Sequence, residues 1–242
     1  MRHHSLTSSV TGCLALLLLV MSDASAQETL ARRPFIFYPS TPAEKEWQVS
    51  VGLTLTTFPR DITEEVAVRA PAFDLHVLYG LPSNFSLDGR VFSQVVQNHF
   101  SLGPRWAHPM GRFSFSLGYD VAWWFGFLTT IDGFDTKASG WLNYPSITLG
   151  YDLDDVYLLA KMEAILNMYY RSYVGESELS TDQNKFAGMA FTLALEQPFW
   201  KNTHLTLGMR GSYTKFHWQT WSLFSTFDRY LFYPEIIIGF IL

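Results

Sequence analysis

The sequence predicts an all-β chain, a closed antiparallel up-and-down transmembrane β-barrel of about ten strands. Three observations carry this: a short apolar leader, strict period-two alternation in the rest of the chain, and connections that alternate between short and long. Composition agrees. Of 242 residues, 48% are hydrophobic, only 16% are charged, and 20 Phe, 12 Tyr and 8 Trp bring the aromatics to 17%, which excludes a disordered chain. The net charge of −5, from 17 Lys and Arg against 22 Asp and Glu, leaves no basic footprint for nucleic acid.

Residues 1–26 read as a secretory signal peptide. Arg2, His3 and His4 precede an apolar run from Gly12 to Met21, and Ala24-Ser25-Ala26 supplies small residues for cleavage. A membrane-spanning helix needs about 20 apolar residues, roughly twice this run. The single cysteine, Cys13, leaves with the signal, so a mature disulfide, thiolate nucleophile or thiolate metal site is excluded. Residues 27–45, broken by Arg32, Arg33, Pro34, Pro39 and Pro42, read as a periplasmic N-terminal lead-in. Phe35, Phe37 and Tyr38 would suit a barrel mouth, although no pattern requires it.

Residues 46–242 read as the barrel. Trp47, Val49, Val51, Leu53 and Leu55 alternate with Gln48, Ser50, Gly52, Thr54 and Thr56, and the same pattern recurs at Phe113–Trp123 and Leu158–Met168. Ten segments follow, at 46–58, 71–81, 85–96, 98–107, 112–127, 139–153, 156–172, 185–197, 203–217 and 226–242. Short turns fall at Leu81–Asn84, Pro109–Gly111, Asp154–Asp155 and Pro198–Asn202. The other connections are longer and more polar, apart from a tight hairpin near Gln97-Asn98. Aromatics such as Trp47, Tyr79, Trp106, Trp123 and Tyr151 collect near strand ends, where amphipathic rings meet both edges of a lipid slab.

On these features the chain resembles the outer-membrane β-barrel proteins of Gram-negative bacteria over residues 46–242. That resemblance implies a location in the bacterial outer membrane after export, contact with outer-membrane lipid and lipopolysaccharide, and handling by the barrel assembly machinery. Members commonly end in Phe or Trp, whereas this chain ends Gly239-Phe240-Ile241-Leu242.

The polar phase of the strands assigns a lumen network of Asp74, His76, Asp88, Arg90, Arg105, Lys161, Glu163, Arg171, Glu196, His204, Arg210 and Glu235. Near-balanced charge favours a cross-linked, plugged interior over an ion-selective pore. Counting outward from the turns sets His76 opposite Arg90 with Asp88 diagonal to it, Asp120 opposite His99, and Glu196 opposite His204. The first reading of such pairs is structural, as lumen salt bridges. The second is catalytic: a carboxylate orients a histidine that activates water or serine, with Asp120 and His99 as the candidates. No cofactor motif or metal-ligand spacing is present, and Ile131–Asp135 lacks the ligand count of a calcium loop.

Two loops complete the reading. Ser172–Lys185 is acidic through Glu176, Glu178 and Asp182; it reads as a solvated loop, and secondarily as a site for divalent ions bridging the outer leaflet. Phe216–Phe224 is unusually aromatic. It reads as an extended hairpin reaching the membrane edge, with Trp218, Trp221 and Phe224 as candidates for sugar stacking or partner contact. The function expected is therefore a structural or limited small-solute transport role, with an outer-membrane hydrolase or a surface binding protein as alternatives. Whether the chain is an enzyme stays open, with the non-enzymatic reading placed first.

Overall fold

The computed structural model describes residues 34–63, 68–131, 134–180, 185–201, 203–222 and 229–242. The signal peptide, Phe224 and Asp182 lie outside these residues. The strands are β1 (Trp47–Thr57), β2 (Arg69–Gly80), β3 (Phe85–Ser93), β4 (Gln97–Met110), β5 (Phe113–Ile131), β6 (Phe134–Asp152), β7 (Tyr157–Val174), β8 (Ser177–Ser180), β9 (Phe186–Trp200), β10 (Thr203–Thr214) and β11 (Leu231–Ile241). Each pairs antiparallel with its neighbours, and β1 closes on β11 from Ser50↔Ile241 to Thr56↔Glu235. Ten strands form the closed wall, while β8 pairs with β7 alone as a short extension beyond it. Closure removes the free edges that hydrocarbon could not hydrogen-bond.

Alternation places the side chains. Along β11 the even-numbered residues from Phe232 to Phe240 point out and the odd-numbered ones from Leu231 to Ile241 point in, Gly239 among them. Outward residues such as Leu53, Phe73, Leu102, Leu149, Ile236 and Met209 are well exposed. A continuous apolar coat of this kind far exceeds the patches of a few hundred Å² that soluble monomers tolerate, and it suits a lipid surround.

The tight turns fall at one end, as predicted. Left-handed backbone at Ser83 (φ 61°), Asn84 (φ 64°), Gly111 (φ 64°), Asp154 (φ 69°) and Lys201 (φ 52°) gives the reversals that hairpins of matching twist need. The opposite end carries the longer connections, including a one-turn helix, α1 (Arg60–Thr63). Both residues 34–45 and Leu242 lie at the short-turn end, where the Leu242 amide donates to the Val49 carbonyl.

Register corrects several expectations. His76 does stand opposite Arg90. The β4–β5 turn, however, is centred on Gly111-Arg112 rather than Pro109, because Met110 pairs with Phe113; His99 therefore faces Trp124, and Asp120 lies four residues away along β5, about 13 Å. At the β9–β10 turn the strand runs through Pro198 to Trp200, with a register shift before His204. His204 thus faces Pro198, and Glu196 faces Thr206. In β7 the pairing moves from Leu142↔Asn167 to Trp141↔Tyr169, so Met168 is a bulged extra residue. One inserted residue reverses the phase above it, which turns Arg171 out of the lumen.

Candidate functional site: the filled lumen

The polar phase of the wall meets two segments folded inside it, and together they fill the lumen in three layers. At the short-turn end, residues 35–40 cross the interior and are buried. Phe35 packs edge-on against Tyr157 at 4.4 Å, Tyr38 meets the same ring at 5.1 Å, and Phe37 lies 5.0 Å from His76. Gly150 makes room for Tyr38, since a Cβ there would stand 2.6 Å from the ring. Buried backbone needs partners as much as side chains do. The Glu196 carboxylate accepts from the amides of Ile36 (3.2 Å), Phe37 (2.8 Å) and Tyr38 (3.1 Å), and also from the Thr206 hydroxyl (3.2 Å). The Arg105 guanidinium donates to the carbonyls of Ile36 (2.6 Å), Tyr38 (3.2 Å) and Ser40 (2.7 Å).

The middle layer is ionic. Arg90 forks onto Asp74 at 2.9 and 2.6 Å, and its guanidinium stacks 4.1 Å from the Phe92 ring centre. His76 Nε2 is 2.6 Å from Asp88, whose other oxygen lies 3.7 Å from Arg105. Glu163 is shared by Lys161 at 2.9 Å and Arg210 at 3.1 Å, while Thr56 donates to Glu235 at 3.1 Å. Removing one partner from such buried pairs costs more than the pair itself contributes, so the layer enforces one arrangement of the wall.

The third layer, at the loop end, is aromatic. After β10, Phe216–Trp221 turn inward instead of continuing as a hairpin toward the membrane edge. Trp218 and Trp221, expected on an exposed loop, are buried, as are Phe216 and His217. The Thr214 hydroxyl, which donates to the Phe216 carbonyl at 2.7 Å and lies 3.0 Å from that of Ala187, holds the bend. His217 caps the 3-10 turn Trp218–Thr220 by accepting the Gln219 amide at 3.3 Å. Burial, with Arg210 nearby, pushes the His217 imidazole down to about 3, so it is neutral as this acceptor role requires. Phe216 stacks near Trp124 (5.2 Å) and Tyr170 (5.4 Å), Trp218 near His99 (5.3 Å), and His217 on Tyr233 (4.4 Å). Trp221 occupies the space over Gly126, where any Cβ would collide with its indole.

The predicted lumen residues Asp74, His76, Asp88, Arg90, Arg105, Lys161, Glu163, Glu196, His204, Arg210 and Glu235 all face the interior. Arg171 does not: its side chain is 49% exposed, 3.7 Å from Glu178 and over the Tyr169 ring. His99 and Asp120 are not brought together. His99 Nε2 bonds the Tyr144 hydroxyl at 3.1 Å within the aromatic layer, while Asp120 sits lower, at the ionic layer. Among the described residues, no group of three or more His, Cys, Asp or Glu is placed to hold a metal.

Small cavities lie inside among the described residues. One of about 40 Å³ lies between the ionic and aromatic layers, bordered by Arg90, His99, Asp120, Tyr144, Glu163 and Arg210; another of about 10 Å³ lies beneath Phe37. Neither holds more than a few waters. Sequence reasoning overlooked His217, Tyr144 and Trp124. Trp124 was accessible to it, as the next inward position after Ser114, Ser116, Gly118, Asp120 and Ala122. His217 was not, since nothing local reports an inward-folded connection.

No family model matches the chain, and no curated protein is similar to it. Solved structures resemble it in part. Neisserial surface protein A (NspA) is 14% identical, with 81% of this chain and 96% of that one covered and a TM-score of 0.39. The attachment invasion locus protein Ail of Yersinia pestis is 10% identical over 82% and 97%, at 0.41. Outer membrane phospholipase A from Escherichia coli is 12% identical over 90% and 97%, at 0.37.

Proposed function

We propose that this protein is an integral outer-membrane barrel with a structural role, and that passage of small solutes is limited to states in which one of its internal seals opens. The observation that carries this reading is the lumen, filled among the described residues by residues 35–40, an ionic layer and Phe216–Trp221 in succession. A constitutive pore would need a continuous water path, and the cavities of about 40 and 10 Å³ among the described residues do not supply one. The apolar coat supports contact with outer-membrane lipid. Residues 1–26 serve in this reading as the export signal and residues 27–45 as the periplasmic lead-in, which sets the short-turn end toward the periplasm. Lipopolysaccharide around the loop end and the barrel assembly machinery are the partners it implies.

The alternatives have less behind them. The Asp120–His99 dyad lacks its hydrogen bond, and the close His76–Asp88 pair is shared with Arg105 beneath Phe37, as a structural cross-link would be. The aromatic loop residues Trp218 and Trp221 are consumed by internal packing. The test is single-channel recording of the full chain in planar bilayers: we expect a silent baseline with rare, brief openings. Steady conductance from every inserted molecule would overturn the closed-barrel reading.

A further inference from the structure

We propose that the short-turn mouth of the lumen is a receptor for peptide backbone, that residues 35–40 are its resident ligand, and that it takes an equivalent bent peptide supplied in trans. The receptor is a pair of opposite charges on opposite walls. Glu196, on β9, is 0% exposed and meets three consecutive amides, those of Ile36, Phe37 and Tyr38. Arg105, on β4, is 7% exposed and meets three carbonyls, those of Ile36, Tyr38 and Ser40. The shorter way round the wall from β4 to β9 passes β5, β6 and β7, so the segment is held between two well-separated strands of the wall. Neither charged group reads a side chain of the segment. Both read groups that every peptide carries.

Selectivity comes from the slots beside the segment. Phe35 and Tyr38 share Tyr157, Tyr38 enters the space over Gly150, and Phe37 fits between His76 and the Arg90 guanidinium, 4.9 Å from its ring centre. The ligand class is therefore a peptide bent over its second to fifth positions, with aromatic side chains at its first, third and fourth positions and free amides at its second to fourth. Pro39 fits the same pattern, because no wall group asks for an amide there. The segment belongs to no strand ladder. Its backbone holds to the wall through Glu196 and Arg105, with Gln48 accepting from the Phe35 amide at 3.3 Å. A groove of about 220 Å³ bordered by Pro39, Pro42, Leu81, Asn84, Ala107 and Pro109 opens beside it and gives an arriving peptide a way in. With the segment withdrawn, Glu196 would keep only the Thr206 hydroxyl and Arg105 only Asp88, so an occupant that restores the lost backbone hydrogen bonds is favoured.

A tethered ligand competes at an effective concentration of about 1 mM, so exchange is read most clearly where the resident is weakened and carries its own reporter. Full-length protein with Cys13→Ser and Phe37→Cys, in lipid vesicles, serves both purposes. The readout is the rate at which a small water-soluble maleimide labels the introduced thiol. The probe is a synthetic acetylated peptide with the sequence of residues 34–42. We expect millimolar peptide to raise the labelling rate about tenfold, and the same peptide N-methylated at the positions of Ile36, Phe37 and Tyr38 to leave it unchanged. Adding Glu196→Gln should raise the rate without peptide, with the heat-dependent gel shift of a folded barrel retained. Equal rates with and without peptide, or equal effects of the two peptides, would overturn the proposal. It goes beyond the closed-barrel reading and does not require that any solute pass: a conducting barrel would sink that reading while peptide exchange stood, and the reverse holds as well.

Discussion

At the short-turn mouth, Glu196 and Arg105 grip the backbone of residues 35–40 through six hydrogen bonds, whereas at the loop mouth Phe216, Trp218 and Trp221 fill the lumen by ring packing. The first seal depends on two charged side chains facing the amides and carbonyls of one short segment. It can be released by one change at one wall. The second spreads over many weak contacts and one internal turn, so it loses stability in proportion to the area removed. A barrel shut by both has one end suited to exchange and one suited to permanence.

The largest expected effect lies at the packed end. Trp221→Ala should lower unfolding stability in urea by about 4 kcal/mol, through lost burial and the cavity left over Gly126. It should leave residues 35–40 as protected from protease as before; cleavage there would mean that the two seals are one cooperative unit. Glu196→Ala comes next. It strands three amides and removes one of the two carboxylates that offset Arg105, Asp88 remaining 3.7 Å away, for a loss of about 3 kcal/mol. Limited proteolysis should now cut within residues 34–45 while the loop end stays intact, and equal protection of both ends would erase the distinction drawn between them.

A smaller effect separates the ends by pH. The His217 imidazole titrates near 3 in the folded protein against 6.5 ordinarily, so folding requires it neutral. That contribution is fully present above pH 6.5 and is lost as pH falls from 6.5 toward 3, amounting to about 1 kcal/mol by about pH 5.5. Denaturation curves of wild type and His217→Gln should converge by that much on acidification, with Arg210 and His99 as the nearby groups that shape the curve. A constant gap would place the acid sensitivity elsewhere. Least of all, Arg171→Ala should change stability by under about 0.5 kcal/mol, since its pair with Glu178 is half-exposed. A loss comparable to that of an inward arginine would mean that the Met168 bulge is absent and Arg171 points in.

Much of this architecture was already present in local pattern. Period-two spacing assigns Asp74, Asp88, Glu163, Glu196 and Glu235 to the interior, because a strand has only two faces and one of them is uniformly apolar. Left-handed positions such as Ser83, Asn84 and Gly111 mark the tight-turn end for the same local reason. What local pattern could not supply was phase and company. A single bulge at Met168 reverses every residue above it, and a turn centred two residues further on separates His99 from Asp120; neither is encoded by alternation itself.

By itself, then, the sequence determined a two-faced wall, its ends and the charges on its inner side, because those follow from the pleat and from the conformations that individual residues tolerate. Only the tertiary structure decided what occupies the space inside. Residues 35–40 carry no regular pattern, and Phe216–Trp221 look like a loop bound for a membrane edge. Both are drawn inward because closing ten strands creates an interior that neither water nor the wall's own side chains fill. The amides and carbonyls that satisfy Glu196 and Arg105 reach them from at least 65 positions away along the chain. No local rule pairs groups that far apart; the closed cylinder does.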